Sequence, residues 1–133
     1  MSIRPPIAVI DDDESFRTAL IESLRSLGYD VRGFGSAEEF VAAGEPGSYS
    51  CLITDVHMPG MSGFELKRLL VARDCLVPVI MITARAESGI ETKAAASGAV
   101  RLLTKPFEIG ALIHSLESAI RSRAALPPPQ MSR

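Results

Sequence analysis

Short apolar runs in this chain stop on, or just short of, side chains capable of chemistry. Ile7-Ala8-Val9-Ile10 ends at Asp11-Asp12-Asp13, and Cys51-Leu52-Ile53-Thr54 ends at Asp55. The run from Val77 ends at Thr83, and Val100 to Leu103 lies just ahead of Lys105. Between these runs lie longer amphipathic stretches, and residues 29–34 alternate well enough for another strand. Short runs alternating with helical patterns imply parallel strand–helix–strand units with right-handed crossovers. The expected architecture is α/β: an open, doubly wound parallel sheet of five strands with five helices.

The helices are read from periodicity and end signals. Residues 14–27 carry Phe16, Leu20, Leu24 and Leu27 on one face, and Gly28 stops that helix. Three Ser-x-x-Glu capping boxes predict the next three starts: Ser36 to Glu39, Ser62 to Glu65, and Ser88 to Glu91. The first of these helices dies near Gly44, the second runs to about Ala72, and the third ends at Gly98. The third has a weak face, Ile90 followed mostly by alanines. The fourth strand is expected over residues 77–83, with Pro78 near its start, where proline is tolerated. A last helix spans 108 to about 124, with Leu112, Leu116, Ala119 and Ile120 inward. One domain, residues 1–124, is therefore expected. Residues 125–133 form a Pro-rich tail that reads as a truncated linker or a native end.

Composition excludes several classes. Fourteen basic and sixteen acidic residues give a net charge of −2, which argues against nucleic acid as a direct partner. No run approaches the ~20 apolar residues that span a bilayer. The polar start, Met1 to Pro6, lacks a secretory signal. Cys51 and Cys75 read as reduced thiols in a cytoplasmic protein.

In an open α/β sheet, ligands bind beyond the carboxyl ends of the strands, where strand order reverses. If the first strand lies beside the third, as in the flavodoxin-like order 2-1-3-4-5, Asp11, Asp12 and Asp55 converge. Clustered carboxylates repel unless a cation joins them, and an all-oxygen set without His or Cys suits Mg²⁺. A carboxylate beside such an ion can attack phosphorus, with a lysine and a hydroxyl on the remaining phosphoryl oxygens. Asp55 stands alone at its strand end and reads as the nucleophile, with Asp11 and Asp12 left for metal. Thr83 and Lys105 complete the set. Singly, each has a plainer reading: a helix start, a turn residue, a strand-end hydroxyl, a surface charge. Their coincidence at successive strand ends is the signal.

The sequence resembles the response-regulator receiver domains of two-component signalling over residues 7–120. The resemblance rests on Ile10-Asp11-Asp12-Asp13, Asp55-Val56-His57-Met58-Pro59-Gly60-Met61-Ser62-Gly63, Ile82-Thr83-Ala84 and Lys105-Pro106-Phe107. It implies that Asp55 is the phosphoacceptor, served by a histidine kinase or phosphotransfer protein. It also implies Mg²⁺ on Asp12 with Asp11 assisting, on Asp55 and on the His57 backbone carbonyl. Thr83 and Lys105 would contact the phosphoryl group, and the Lys105–Pro106 bond would be cis. The wording from Asp55 to Leu66 looks most like receivers that precede LuxR-type helix-turn-helix output domains.

Two positions depart from the pattern. Leu102 stands where the family usually has Tyr or Phe, so it reads as an ordinary half-buried strand residue rather than a rotamer switch. The His57 side chain reads as solvated, as does His114. The expected function is a phosphorylation-controlled switch, not an enzyme beyond its own phosphorylation and dephosphorylation. Its output face would be the fourth helix, last strand and last helix, contacting a downstream protein or output domain, or a second copy on phosphorylation. The rival readings are a small Mg²⁺-dependent aspartyl phosphatase, a phosphorylation-independent docking domain, and the receiver half of a DNA-binding regulator.

Overall fold

The computed structural model describes residues 5–125, so the proline-rich tail reading falls almost wholly outside the described residues. In chain order the elements are β1 (Ile7–Ile10), α1 (Glu14–Ser26), β2 (Val31–Phe34) and α2 (Ala37–Ala43). After a 3-10 turn at Pro46–Ser48 come β3 (Cys51–Asp55), α3 (Gly63–Ala72), β4 (Val79–Thr83) and α4 (Ile90–Ala96). β5 (Arg101–Thr104) and α5 (Ile109–Ala125) complete the fold. All strand pairs are parallel, in the order β2-β1-β3-β4-β5. The chain reverses direction across the sheet between β1 and β3, so the doubly wound expectation holds.

Strand alternation sorts the core into two layers. Ile7, Val9, Cys51, Ile53, Ile80 and Ile82 face α1 and α5, meeting Leu20, Leu24, Leu112 and Leu116. Ala8, Ile10, Leu52, Val79 and Met81 face α2, α3 and α4, meeting Phe40, Phe64, Leu66, Leu70 and Ile90. The three central strands are buried along their whole length, as a sheet covered on both faces requires. Leu102 is half-buried against the second layer, as its plain reading predicts.

Element ends differ from expectation for local reasons. β2 begins two residues late, because Tyr29 N–H closes α1 by donating to Leu24 O, after Gly28 at φ +97°. β4 begins after Pro78, whose carbonyl accepts from Leu52 N–H at 2.9 Å. β5 and the start of α5 each lie one residue later than expected.

The capping boxes divide three ways. Ser62 and Glu65 make both reciprocal bonds. Ser36 accepts from Glu39 N–H at 3.0 Å, but the Glu39 carboxylate turns back to Gly35 N–H. The third box is absent. Gly89 is the N-cap of α4, in the left-handed region at φ +82° and without a side-chain cap bond, which leaves Ser88 outside the helix.

Candidate functional site

The site is built where the register brings β1 and β3 to their ends together. Ile10 pairs with Thr54, so Asp11 and Asp55 leave adjacent strands side by side. By alternation both continue the face that packs on α1 and α5. Thr83 follows Met81 onto the opposite face, toward α4. Carboxylate oxygens of Asp11, Asp12 and Asp55 lie within 4.8 Å of one another. Asp11 is wholly buried, Asp55 is 7% exposed, and Asp12 is exposed.

Each acidic residue of the triplet has a separate job. Asp13, given no role from sequence, is the N-cap of α1 and accepts from Phe16 N–H at 3.1 Å. That leaves Asp11 and Asp12 uncommitted to the helix start. Asp11 Oδ1 accepts from Asp13 N–H at 2.9 Å, and its Oδ2 meets Lys105 Nζ at 3.0 Å. Burial pushes the Asp11 carboxyl above its usual range, and the charge of Asp55 adds to that; the Asp13 and Lys105 bonds oppose it.

Lys105 reaches Asp55 Oδ2 at 3.4 Å as well, from beyond a cis Lys105–Pro106 bond. Burial works against its charge, but the hydrogen bonds and charges of Asp11 and Asp55 prevail and raise its pKa. Its ammonium also sits 4.0 Å over the Phe16 ring, which meets Phe107 edge-on at 6.1 Å. Phe16 thus lies beneath the lysine and is itself backed by Phe107. The sequence offered Phe16 only as a core position of α1.

Three carboxylates facing one ammonium leave the cluster short of positive charge. With oxygen donors only, at this spacing, the set fits a hard divalent cation.

The loop after Asp55 is tightly tied. His57 N–H donates to Asp55 Oδ1 at 3.1 Å, and Gly63 N–H donates to Val56 O at 2.9 Å. A Cβ on Gly63 would collide with Asp55 O and lie 3.1 Å from Val56 Cα, so only glycine lets α3 start this close to β3. The His57 ring is exposed, as expected, but it is paired: its Nε2 lies 2.9 Å from Glu87 Oε1 across the mouth of the site. No pattern in the sequence couples those two residues.

Thr83 is buried at the end of β4, and its hydroxyl is already engaged. It donates to Arg85 O and accepts from Arg85 N–H, both at 3.1 Å. The structure thus gathers Asp11, Asp12, Asp55 and Lys105, while the Thr83 hydroxyl bonds with its own loop. His114 is exposed on α5.

Comparison with known proteins places the chain in a family. The family model described as response regulator receiver domain matches residues 7–117. The chain is 38% identical over 115 residues to the transcriptional regulatory protein FixJ of Azorhizobium caulinodans, covering 86% of this chain and 54% of that protein. It is 36% identical over 126 residues to the response regulator protein TodT of Pseudomonas putida, covering 95% and 54%. The crystal structure of FixJ-N superposes with a TM-score of 0.82 at 32% identity, covering 97% of this chain and all of that one. The chain spans about half the length of these curated relatives. The family model, the relatives and the shared fold agree: this chain belongs to the response regulator receiver domains.

Proposed function

We propose that Asp55 accepts a phosphoryl group from a histidine kinase or phosphotransfer protein in a Mg²⁺-dependent reaction, and that the resulting acyl phosphate switches the surface built from α4, β5 and α5. The observation that carries this reading is the position of Asp55. It ends β3 beside Asp11 and Asp12, with Lys105 Nζ 3.4 Å from one oxygen and His57 N–H on the other.

An Asp55 oxygen attacks phosphorus in line with the leaving group. The new O–P bond forms as the P–N bond of the donor phosphohistidine breaks, and the imidazole keeps the electron pair and takes a proton. Asp11, Asp12, Asp55 and the His57 carbonyl would hold Mg²⁺, which supplies charge neutralisation at the phosphoryl oxygens. Lys105 offsets the same charge from the α5 side. Asp11 and Lys105 hold each other in place before the donor arrives, so little reorganisation is left for the reaction. Thr83 must give up Arg85 before its hydroxyl can reach a phosphoryl oxygen, and that exchange would move the loop leading into α4.

Catalysis in this reading is confined to the chain's own phosphorylation and hydrolysis. The setting is the cytoplasm; no helix among the described residues is long and apolar enough to cross a membrane. The partners are the donor and either a downstream protein, an output domain following residue 124, or a second phosphorylated copy. DNA is not among the direct partners of these residues, given a net charge of −2.

The test is intact mass after incubation with acetyl phosphate and Mg²⁺. The wild type should gain one phosphoryl group per chain and Asp55→Asn none. Asp12→Ala should label far more slowly at millimolar metal, and a chelator should stop the wild type. Equal labelling of Asp55→Asn would overturn the assignment, and sustained turnover of a phosphomonoester would make the chain a hydrolase.

A further inference from the structure

The geometry points to Glu38, on the first turn of α2, as a positioning residue for the metal-binding loop after Asp55. This rests on the reading that Asp12, Asp55 and the His57 carbonyl hold Mg²⁺. Glu38 Oε2 accepts a hydrogen bond from Met61 N–H at 2.8 Å, across 23 residues of sequence.

The loop it reaches is held at both ends and bare in the middle. At one end Val56 N–H donates to Ile82 O at 2.8 Å, and His57 N–H donates to Asp55. At the other, Ser62 and Glu65 close the α3 cap, and Gly63 N–H returns to Val56 O. Between them, Met58 is buried and Met61 packs partly against the core, while Pro59 and Gly60 are exposed. Apolar contact alone does not fix the rotation of a peptide plane. Among the described residues, the Glu38 bond is the polar tie that any other element makes to residues 58–61.

A second observation shows that the approach is built in. Gly60 sits at φ +76°, and a Cβ there would come within 2.5 Å of Glu38 Oε2 and 3.3 Å of its Cδ. The carboxylate therefore lies across the position that a side chain would fill. The two acidic residues of this turn divide their work: Glu39 closes the α2 entry loop at Gly35, and Glu38 crosses to the neighbouring loop.

A backbone carbonyl is a useful metal ligand only if its direction is fixed in advance. Without Glu38, residues 58–61 can rotate, and the His57 carbonyl is oriented for only part of the time. Metal affinity should then fall, while the chemical step at saturating metal should be unchanged.

The experiment is a MgCl₂ titration of the unphosphorylated chain, followed by amide NMR shifts, for wild type, Glu38→Ala and Glu38→Gln. Glu38→Ala should raise the Mg²⁺ dissociation constant about three- to tenfold, the range of one hydrogen bond. Glu38→Gln keeps an acceptor oxygen and should stay within about twofold of wild type. Acetyl phosphate labelling of Glu38→Ala should return to the wild-type rate at saturating Mg²⁺, with the thermal midpoint little changed. Unaltered affinity in Glu38→Ala overturns the inference. So does a Glu38→Gln variant as weak as Glu38→Ala, since charge rather than the hydrogen bond would then be acting. A wild type that shows no Mg²⁺ response at all overturns the metal reading itself, which the variants alone do not touch.

Discussion

The loops that follow β3 and β4 lie side by side at one edge of the sheet and are held in opposite ways. After β3, Gly63 abuts the Asp55 backbone, Ser62 and Glu65 close a full capping box, and Glu38 ties down Met61. After β4, the Thr83 hydroxyl bonds only within its own loop, and α4 starts at Gly89 without a side-chain cap. That helix buries Ile90 and Ala94, against five residues buried by α3. The two loops touch through the exposed His57–Glu87 pair. An acceptor must be rigid to present its oxygen, whereas a responding element must move at small cost. The molecule places its tight contacts on the first and its sparse contacts on the second.

The comparison breaks most visibly at the glycines. Gly63→Ala should destabilise by about 3 kcal/mol, because the clash is with backbone that cannot step aside, and it should slow Asp55 labelling as β3 shifts. Gly89→Ala meets nothing within 4 Å and should cost only about 1 kcal/mol for its left-handed backbone. Denaturant unfolding of the two variants decides this; equal losses would show that the α4 side is as constrained as the α3 side.

Leu102→Ala comes next, at about 2 kcal/mol for a half-buried leucine. Labelling at Asp55 should be unaffected, since this side chain packs on the core rather than on the site. A labelling defect without a stability loss would restore a side-chain switch at Leu102.

Smaller effects separate the two serines. Ser62→Ala removes a working cap and should cost about 1 kcal/mol, whereas Ser88→Ala should stay within about 0.5 kcal/mol. A similar loss at Ser88 would mean that the third capping box forms after all.

The smallest effect should be a gain. Lys67 on α3 is 8% exposed beneath Gly98, with no acidic partner among the described residues, and burial lowers its pKa. Lys67→Met should stabilise by less than about 1 kcal/mol near neutral pH. The unfolded chain keeps that proton to higher pH than the folded one, so wild-type stability rises as the pH approaches the ordinary lysine range. The advantage of methionine should therefore shrink between neutral pH and pH ~10. Thermal unfolding at both values checks the sign, and a gain that grows with pH would contradict it.

Much of this architecture was legible because its signals are local. The apolar runs of β1 and β3 end at Asp11 and Asp55, which converge once those strands are neighbours, and the Ser62–Glu65 box is complete within four residues. The three-residue spacing of Ser88 and Glu91 misled for the same reason. A box needs the serine in extended backbone at the cap, and Gly89 takes that position instead.

What the sequence by itself determined is the set of strand ends and the chemistry gathered there, because alternation and apolar run length act over a few residues. The tertiary structure alone decided how that chemistry is held. It made Asp13 the cap and freed Asp11 for Lys105, 94 residues away. It laid Phe16 under that lysine, brought Glu38 to Met61, and set Glu87 against His57. None of these pairs shares a periodicity. Each depends on where two elements come to rest against the same sheet, which is settled by the summed packing of both core layers rather than by any short stretch of chain.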